Sequence, residues 1–140
     1  MTGLITELTE QAKRNPKRIA LPEAFDGDTL VLARCILNEG LGVPVLVGVP
    51  ADIAAAADEA DVALDGMEII DVTDERARYA AIERYLREPR MISEKGCKRR
   101  SKDPLNYAMM LESIGDVDCT FAGHVATTGE VLMAAQNFIG

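Results

Sequence analysis

Tryptophan is absent from this 140-residue chain, and tyrosine and phenylalanine occur three times each. So few aromatic rings argue against a base-stacking, single-strand nucleic-acid surface. Histidine occurs once, at His124, and the three cysteines (Cys35, Cys97, Cys119) form no CxxC pair. Zinc therefore lacks a ligand set, and no metal site is expected. An odd number of widely spaced cysteines does not make a secreted disulfide framework, so a reducing, cytoplasmic setting is expected. Long apolar runs are missing too. The best, residues 41–51, is too short to span a bilayer and carries two prolines. Glu7 and Glu10 interrupt the N-terminal apolar residues, so no signal peptide is read there.

What is present is a globular composition, 48% hydrophobic and 27% charged, which argues against disorder. The formal charge of −8 disfavours nucleic acid or an anionic membrane as the main partner. That charge is unevenly distributed. Residues 1–86 hold 8 basic and 16 acidic side chains, and residues 103–140 hold five acidic and no basic ones. Residues 87–102 hold seven cations (Arg87, Arg90, Lys95, Lys98, Arg99, Arg100, Lys102) against two acids. Such a cluster is either a solvated helix face or a local site for a small phosphate-bearing anion.

Along the chain, helical and strand patterns alternate. Leu4, Ile5, Leu8 and Ala12 lie at helical spacing, and Asn15-Pro16 ends that helix. Residues 19–21 read as a buried strand stopped by Pro22. Asp26-Gly27-Asp28 opens a helix carrying Leu30, Val31, Ala33, Ile36 and Leu37, with Gly40 at its end. A strand at 43–47, a helix at about 51–60 and a strand at 67–70 follow. Thr73 is placed to cap a helix over 74 to about 87. Asp103-Pro104 starts a helix running to about 114–115. A fourth strand is expected at 117–122, and a last helix at 127–139. Short apolar strands alternating with helices predict one domain, a three-layer α/β/α fold with a mainly parallel sheet.

In open parallel sheets, ligands bind outside the carboxyl ends of the strands. That points to four loops, at 22–28, 48–50, 71–73 and 123–128. The last reads Gly123-His124-Val125-Ala126-Thr127-Thr128, and Thr127 with Glu130 has capping-box spacing. A strand, a glycine and a hydroxyl-bearing helix start can cradle an anion on unpaired N–H groups. They also suit an ordinary α/β connection. His124, with no matched nucleophile, suits a structural or solvent-facing role.

Taken together, these residues resemble the phosphate acetyl/butyryl transferase family. Ile19-Ala20-Leu21-Pro22-Glu23 resembles its opening strand and loop. Leu86-Arg87, Asp103-Pro104, Ala108-Met109-Met110 and Gly115-Asp116-Val117-Asp118 resemble its LR…DP…AMM…GDAD signature. Gly123, Thr127 and Thr128, with Ala135 nearby, resemble its closing segment. The order and spacing agree from about residue 19 to 140.

The resemblance implies transfer of an acyl group from acyl-CoA to inorganic phosphate, with no metal and no bound cofactor. It implies an isocitrate dehydrogenase-like fold of two domains, usually a homodimer, with the site in the interdomain cleft. It marks Arg87, Gly123, Thr127 and Thr128 as substrate-binding candidates and leaves the catalytic groups unassigned. Two positions depart from the family pattern: Asp28 and Met133 stand where arginines are usual, and an aspartate there repels phosphate. The family chain is also more than twice this length. The expectation is therefore an N-terminal domain portion, lacking the second domain and inactive alone. The alternative is a non-catalytic CoA- or phosphate-binding or assembly module, pairing with another chain. A piece of a related dehydrogenase is disfavoured by the lack of a GxGxxG motif.

Overall fold

The computed structural model describes residues 2–140. It contains α1 (Thr2–Arg14), β1 (Lys17–Leu21), α2 (Gly27–Asn38), β2 (Gly42–Gly48), α3 (Pro50–Ala60) and β3 (Glu68–Asp71). There follow α4 (Glu75–Tyr85), α5 (Glu94–Arg100), α6 (Pro104–Ser113), β4 (Cys119–Thr120) and α7 (Thr128–Phe138). The strands form one parallel sheet in the order β3-β2-β1-β4.

The side chains of β1 and β2 alternate between two apolar clusters, as the pleat requires. Leu21 and Leu46 join Leu30, Ala33, Ile53 and Ala57 of α2 and α3. Ala20, Val45 and Val47 join Ile82, Tyr85, Met110 and Phe138 from α4, α6 and α7. The fold is the expected α/β architecture with helices on both faces. α1 is different: Leu4, Ile5 and Leu8, its apolar stripe, are all more than half exposed.

Local chemistry explains the helix starts. Asp26, Asp74, Ser93, Asp103 and Thr127 each accept a hydrogen bond from a backbone N–H of the first turn. Pro50 and Pro104 occupy first-turn positions that need no N–H donor.

Three expectations are corrected. The fourth strand is shorter than residues 117–122, because Val117 turns into the core and the chain beyond Phe121 leaves the sheet. Hydrogen bonds from Asp118 N to Arg18 O (2.9 Å) and Phe121 N to Ala20 O (3.0 Å) bracket its pairing with β1. Thr73 does not cap α4. Its N–H and hydroxyl both donate to Asp71 Oδ1 (2.8 and 2.6 Å), which leaves Asp74 as the cap. The helix ends at Tyr85 rather than near Arg87, and Arg90 folds back to donate from Nε to the Tyr85 carbonyl (2.8 Å). Beyond these three, α5 forms inside the cationic segment, where the sequence pattern predicts no element.

Candidate functional site

The loop after β4 is organised by a carboxylate from the other end of the sequence. Glu23, in the loop after β1, is only 4% exposed. Its Oε1 accepts from the N–H groups of Gly123 and His124 (3.0 Å each). Its Oε2 accepts from Val125 (2.9 Å) and Ala126 (2.6 Å). The expected cradle of backbone donors therefore exists, and the anion it holds is the protein's own Glu23. Burial pushes this carboxyl's pKa up, but the four N–H donors outweigh that effect, so it lies below the ordinary glutamate value.

Gly123 makes this geometry possible. Its φ of +108° lies where side chains are strained, and no atom stands within 4 Å of where a Cβ would be. Four residues later, Thr127 starts α7 with a complete capping box: Glu130 N donates to Thr127 Oγ1 (3.2 Å), and Thr127 N donates to Glu130 Oε1 (3.4 Å). Thr128 is exposed at the first helical position. The first N–H groups of a helix have no intrahelical acceptor and lie at its positive end. Glu23 thus holds the loop donors and the capping box engages the N–H groups of Thr127 and Glu130, which leaves those of Thr128 and Gly129 at the α7 start without an acceptor among the described residues.

His124 extends from this loop over the start of α2. Its Nε2 lies 3.2 Å from Asp28 Oδ2 and 3.5 Å from Asp26 Oδ2. The three donor atoms lie within 4.8 Å of one another, close enough to share a cation. Asp26 Oδ2 is already engaged by Thr29, and Asp28 is exposed. When protonated, His124 offsets the negative charge that Asp28 places beside the loop.

Arg87 lies elsewhere. It is exposed beyond the end of α4, lining a groove of about 480 Å³ with Tyr79, Leu86, Glu94 and Lys98. None of residues 123–128 lines that groove. The structure therefore keeps Gly123, Thr127 and Thr128 together on one segment and places Arg87 separately.

Arg78 carries no distinguishing signal in the sequence, where it shares α4 with Arg76 and Arg84. It is 4% exposed, and among the described residues it has no carboxylate at ion-pair distance. Its Nη1 donates to Val72 O (2.9 Å) just beyond β3, and its Nε to Ser101 Oγ (3.2 Å) at the end of α5. A buried cation without a counter-charge at the carboxyl edge of the sheet raises the local positive potential. Burial pushes the Cys97 and Cys119 thiols up, so neither is an activated nucleophile. Among the described residues, no helix is long and apolar enough to cross a membrane.

Comparison with known proteins agrees with this architecture. The family model "Phosphate acetyl/butaryl transferase" matches residues 3–140. The chain is 34% identical over 139 residues to the phosphate acetyltransferase of Treponema pallidum, covering 97% of this chain and 41% of that protein. It is likewise 34% identical over 138 residues to the phosphate acetyltransferase of Clostridium acetobutylicum, again covering 97% and 41%. It thus spans about 41% of the length of these relatives. The EutD phosphotransacetylase from Staphylococcus aureus superposes with a TM-score of 0.81 at 20% identity, over 99% of this chain and 42% of that one. A phosphotransacetylase from Streptococcus pyogenes gives the same TM-score at 19% identity, covering the same shares. Parallel sheet, loop placement and a match along almost the whole chain converge: this chain belongs to the phosphate acetyl/butyryl transferase family.

Proposed function

We propose that this chain supplies part of a site that moves an acyl group from acyl-CoA to inorganic phosphate, giving acyl phosphate and free CoA. The observation that carries the reading is the family match over residues 3–140. In that reaction a phosphate oxygen attacks the thioester carbonyl carbon, the carbonyl oxygen takes up negative charge, and the C–S bond breaks. The electron pair leaves with the CoA sulfur as thiolate. Positioned donors for phosphate and for the developing oxyanion lower the barrier.

Within this chain, Thr128 and the start of α7 offer a hydroxyl, N–H groups and a positive helix end. The Thr127 hydroxyl is committed to Glu130, so Thr127 acts by fixing where α7 begins. Gly123 keeps the loop clear of a side chain, and Glu23 holds that loop rigid. Arg87 supplies a guanidinium with no hydrogen bond or ion pair among the described residues. No acid, base or nucleophile is assigned here; those groups come from a second domain or another chain, in a homodimer or a mixed assembly. We place the protein in the reducing cytoplasm, with acyl-CoA and phosphate as substrates and no bound cofactor.

The test is release of free thiol from acetyl-CoA in the presence of phosphate. The 140-residue chain alone is expected to release thiol at the rate of the protein-free blank. Phosphate-dependent turnover at the rate of a full-length relative, measured side by side, would show that the chain holds a complete site.

A further inference from the structure

The two edges of the sheet are built differently. β3 closes one side and carries a carboxylate at each end, Glu68 and Asp71. Glu68 is paired with Arg18 (2.7 Å). Charge of this kind keeps a foreign strand off an edge. β4 closes the other side. Its inner side pairs with β1, and the next residue, Phe121, still donates its N–H to the Ala20 carbonyl (3.0 Å). No described strand lies beyond β4. An edge strand presents backbone N–H and C=O groups outward, in the pattern that another strand pairs.

β4 lacks the guards that β3 carries. Residues 117–127 hold no lysine, arginine, glutamate or proline, and Asp118 is their only carboxylate. That carboxylate is turned inward, where its Oδ2 accepts from the Arg18 N–H of β1 (2.8 Å). Cys119 is exposed on the edge strand, and Phe121 is 54% exposed just past it. Phe121 and Leu32 of α2 line a shared hollow of about 350 Å³. The edge therefore offers strand hydrogen bonds beside uncovered apolar surface, with no charge facing out to repel a partner.

Such an edge is complementary to itself when a second strand runs antiparallel. In a pairing centred on Thr120, Cys119 lies opposite the partner's Phe121, and Asp118 lies opposite the partner's Ala122. Two carboxylates then never meet. That matters in a chain of net charge −8, whose copies repel one another through their acidic surfaces. We propose that β4 is a self-association edge: a second copy of this chain pairs its β4 antiparallel to the first about a two-fold axis, continuing the sheet across the dimer. Cys119, Thr120 and Phe121 carry no role in acyl transfer, so the proposal does not rest on that reading.

Sedimentation equilibrium of the 140-residue chain, from about 0.01 to about 1 mM, tests it. The contact is small, so a dissociation constant of about 0.1 mM is expected, at the weak end of specific interfaces. Cys119→Lys and Phe121→Lys each bring two like charges together near the axis from exposed positions, and each is expected to weaken association about tenfold or more. Ile69→Lys, on the β3 edge, and Leu8→Lys, on the exposed stripe of α1, are expected to leave it unchanged. Amide exchange at residues 119–121 of the wild type is expected to slow as concentration rises through the dissociation constant, a readout that needs no variant. A monomer at every concentration overturns the proposal. So does a dimer that Leu8→Lys dissociates while the folded Cys119→Lys and Phe121→Lys proteins keep it. Exchange at residues 119–121 that ignores concentration while the protein dimerises overturns it as well.

Discussion

Glu23→Gln is expected to lower folding stability by about 2–4 kcal/mol at neutral pH, measured by urea unfolding. A glutamine oxygen still accepts two of the four N–H groups, but its NH₂ then faces the other two donors. The result is two unsatisfied backbone donors in place of two charge-assisted hydrogen bonds. The loss falls on residues 123–126, whose amide hydrogens are expected to exchange faster in the variant. The sign of the pH dependence follows from the direction of the shift. The Glu23 carboxyl is held below its ordinary value in the folded state. Its contribution is therefore complete above the unfolded-state glutamate pKa and is lost as pH falls through the lower folded-state value. Wild type should lose this part of its stability on acidification while Glu23→Gln does not, so the two curves converge at low pH. A change under about 0.5 kcal/mol at neutral pH would mean that water satisfies the loop donors as well as Glu23 does.

Arg78→Ala is expected to cost about 3–4 kcal/mol. The side chain is buried, so truncation empties packed volume as well as stripping hydrogen bonds from the Val72 carbonyl and the Ser101 hydroxyl. Arg78→Met separates these causes. It keeps most of the packed stem, removes the charge and leaves both acceptors unpaired, so it is expected to recover part of the loss and not all of it. Full recovery in Arg78→Met would assign the effect to packing alone. Equilibrium unfolding of the three proteins under one buffer decides this.

Much of the fold was legible because its determinants are local. β1 and β2 are covered on both faces and therefore read as continuous apolar runs. Asp103-Pro104 and the Thr127/Glu130 box are short-range signals, and the helices begin there. α5 was not legible for the opposite reason. It is seven residues long, Cys97 is its buried side chain, and five of its residues are charged. Its Ser93 cap was the signal present in the sequence. The extent of β4 is set by the register of β1, which no local pattern encodes.

The site divides along the same line. The donor-rich loop after β4 could be read from a glycine and a hydroxyl pair. Its partner Glu23 lies about a hundred residues away in sequence and is brought there only by the parallel pairing of β1 with β4. Arg78 sits in a helix with two other arginines, Arg76 and Arg84, and nothing in that pattern marks which one is buried. The separation of Arg87 from the loop is likewise a tertiary fact, set by α4 ending at Tyr85.

Under the proposed function, Arg87 and the start of α7, which lie apart on the surface, each contact acyl-CoA. Titration with acetyl-CoA, following the thermal midpoint, tests it most directly, because a ligand bound only by the folded state raises that midpoint. The account predicts a rise that saturates with ligand, and a shift at least about fivefold weaker in ligand concentration for Arg87→Gln and for Thr128→Val. No rise at millimolar acetyl-CoA, or the same response in both variants as in wild type, would contradict it.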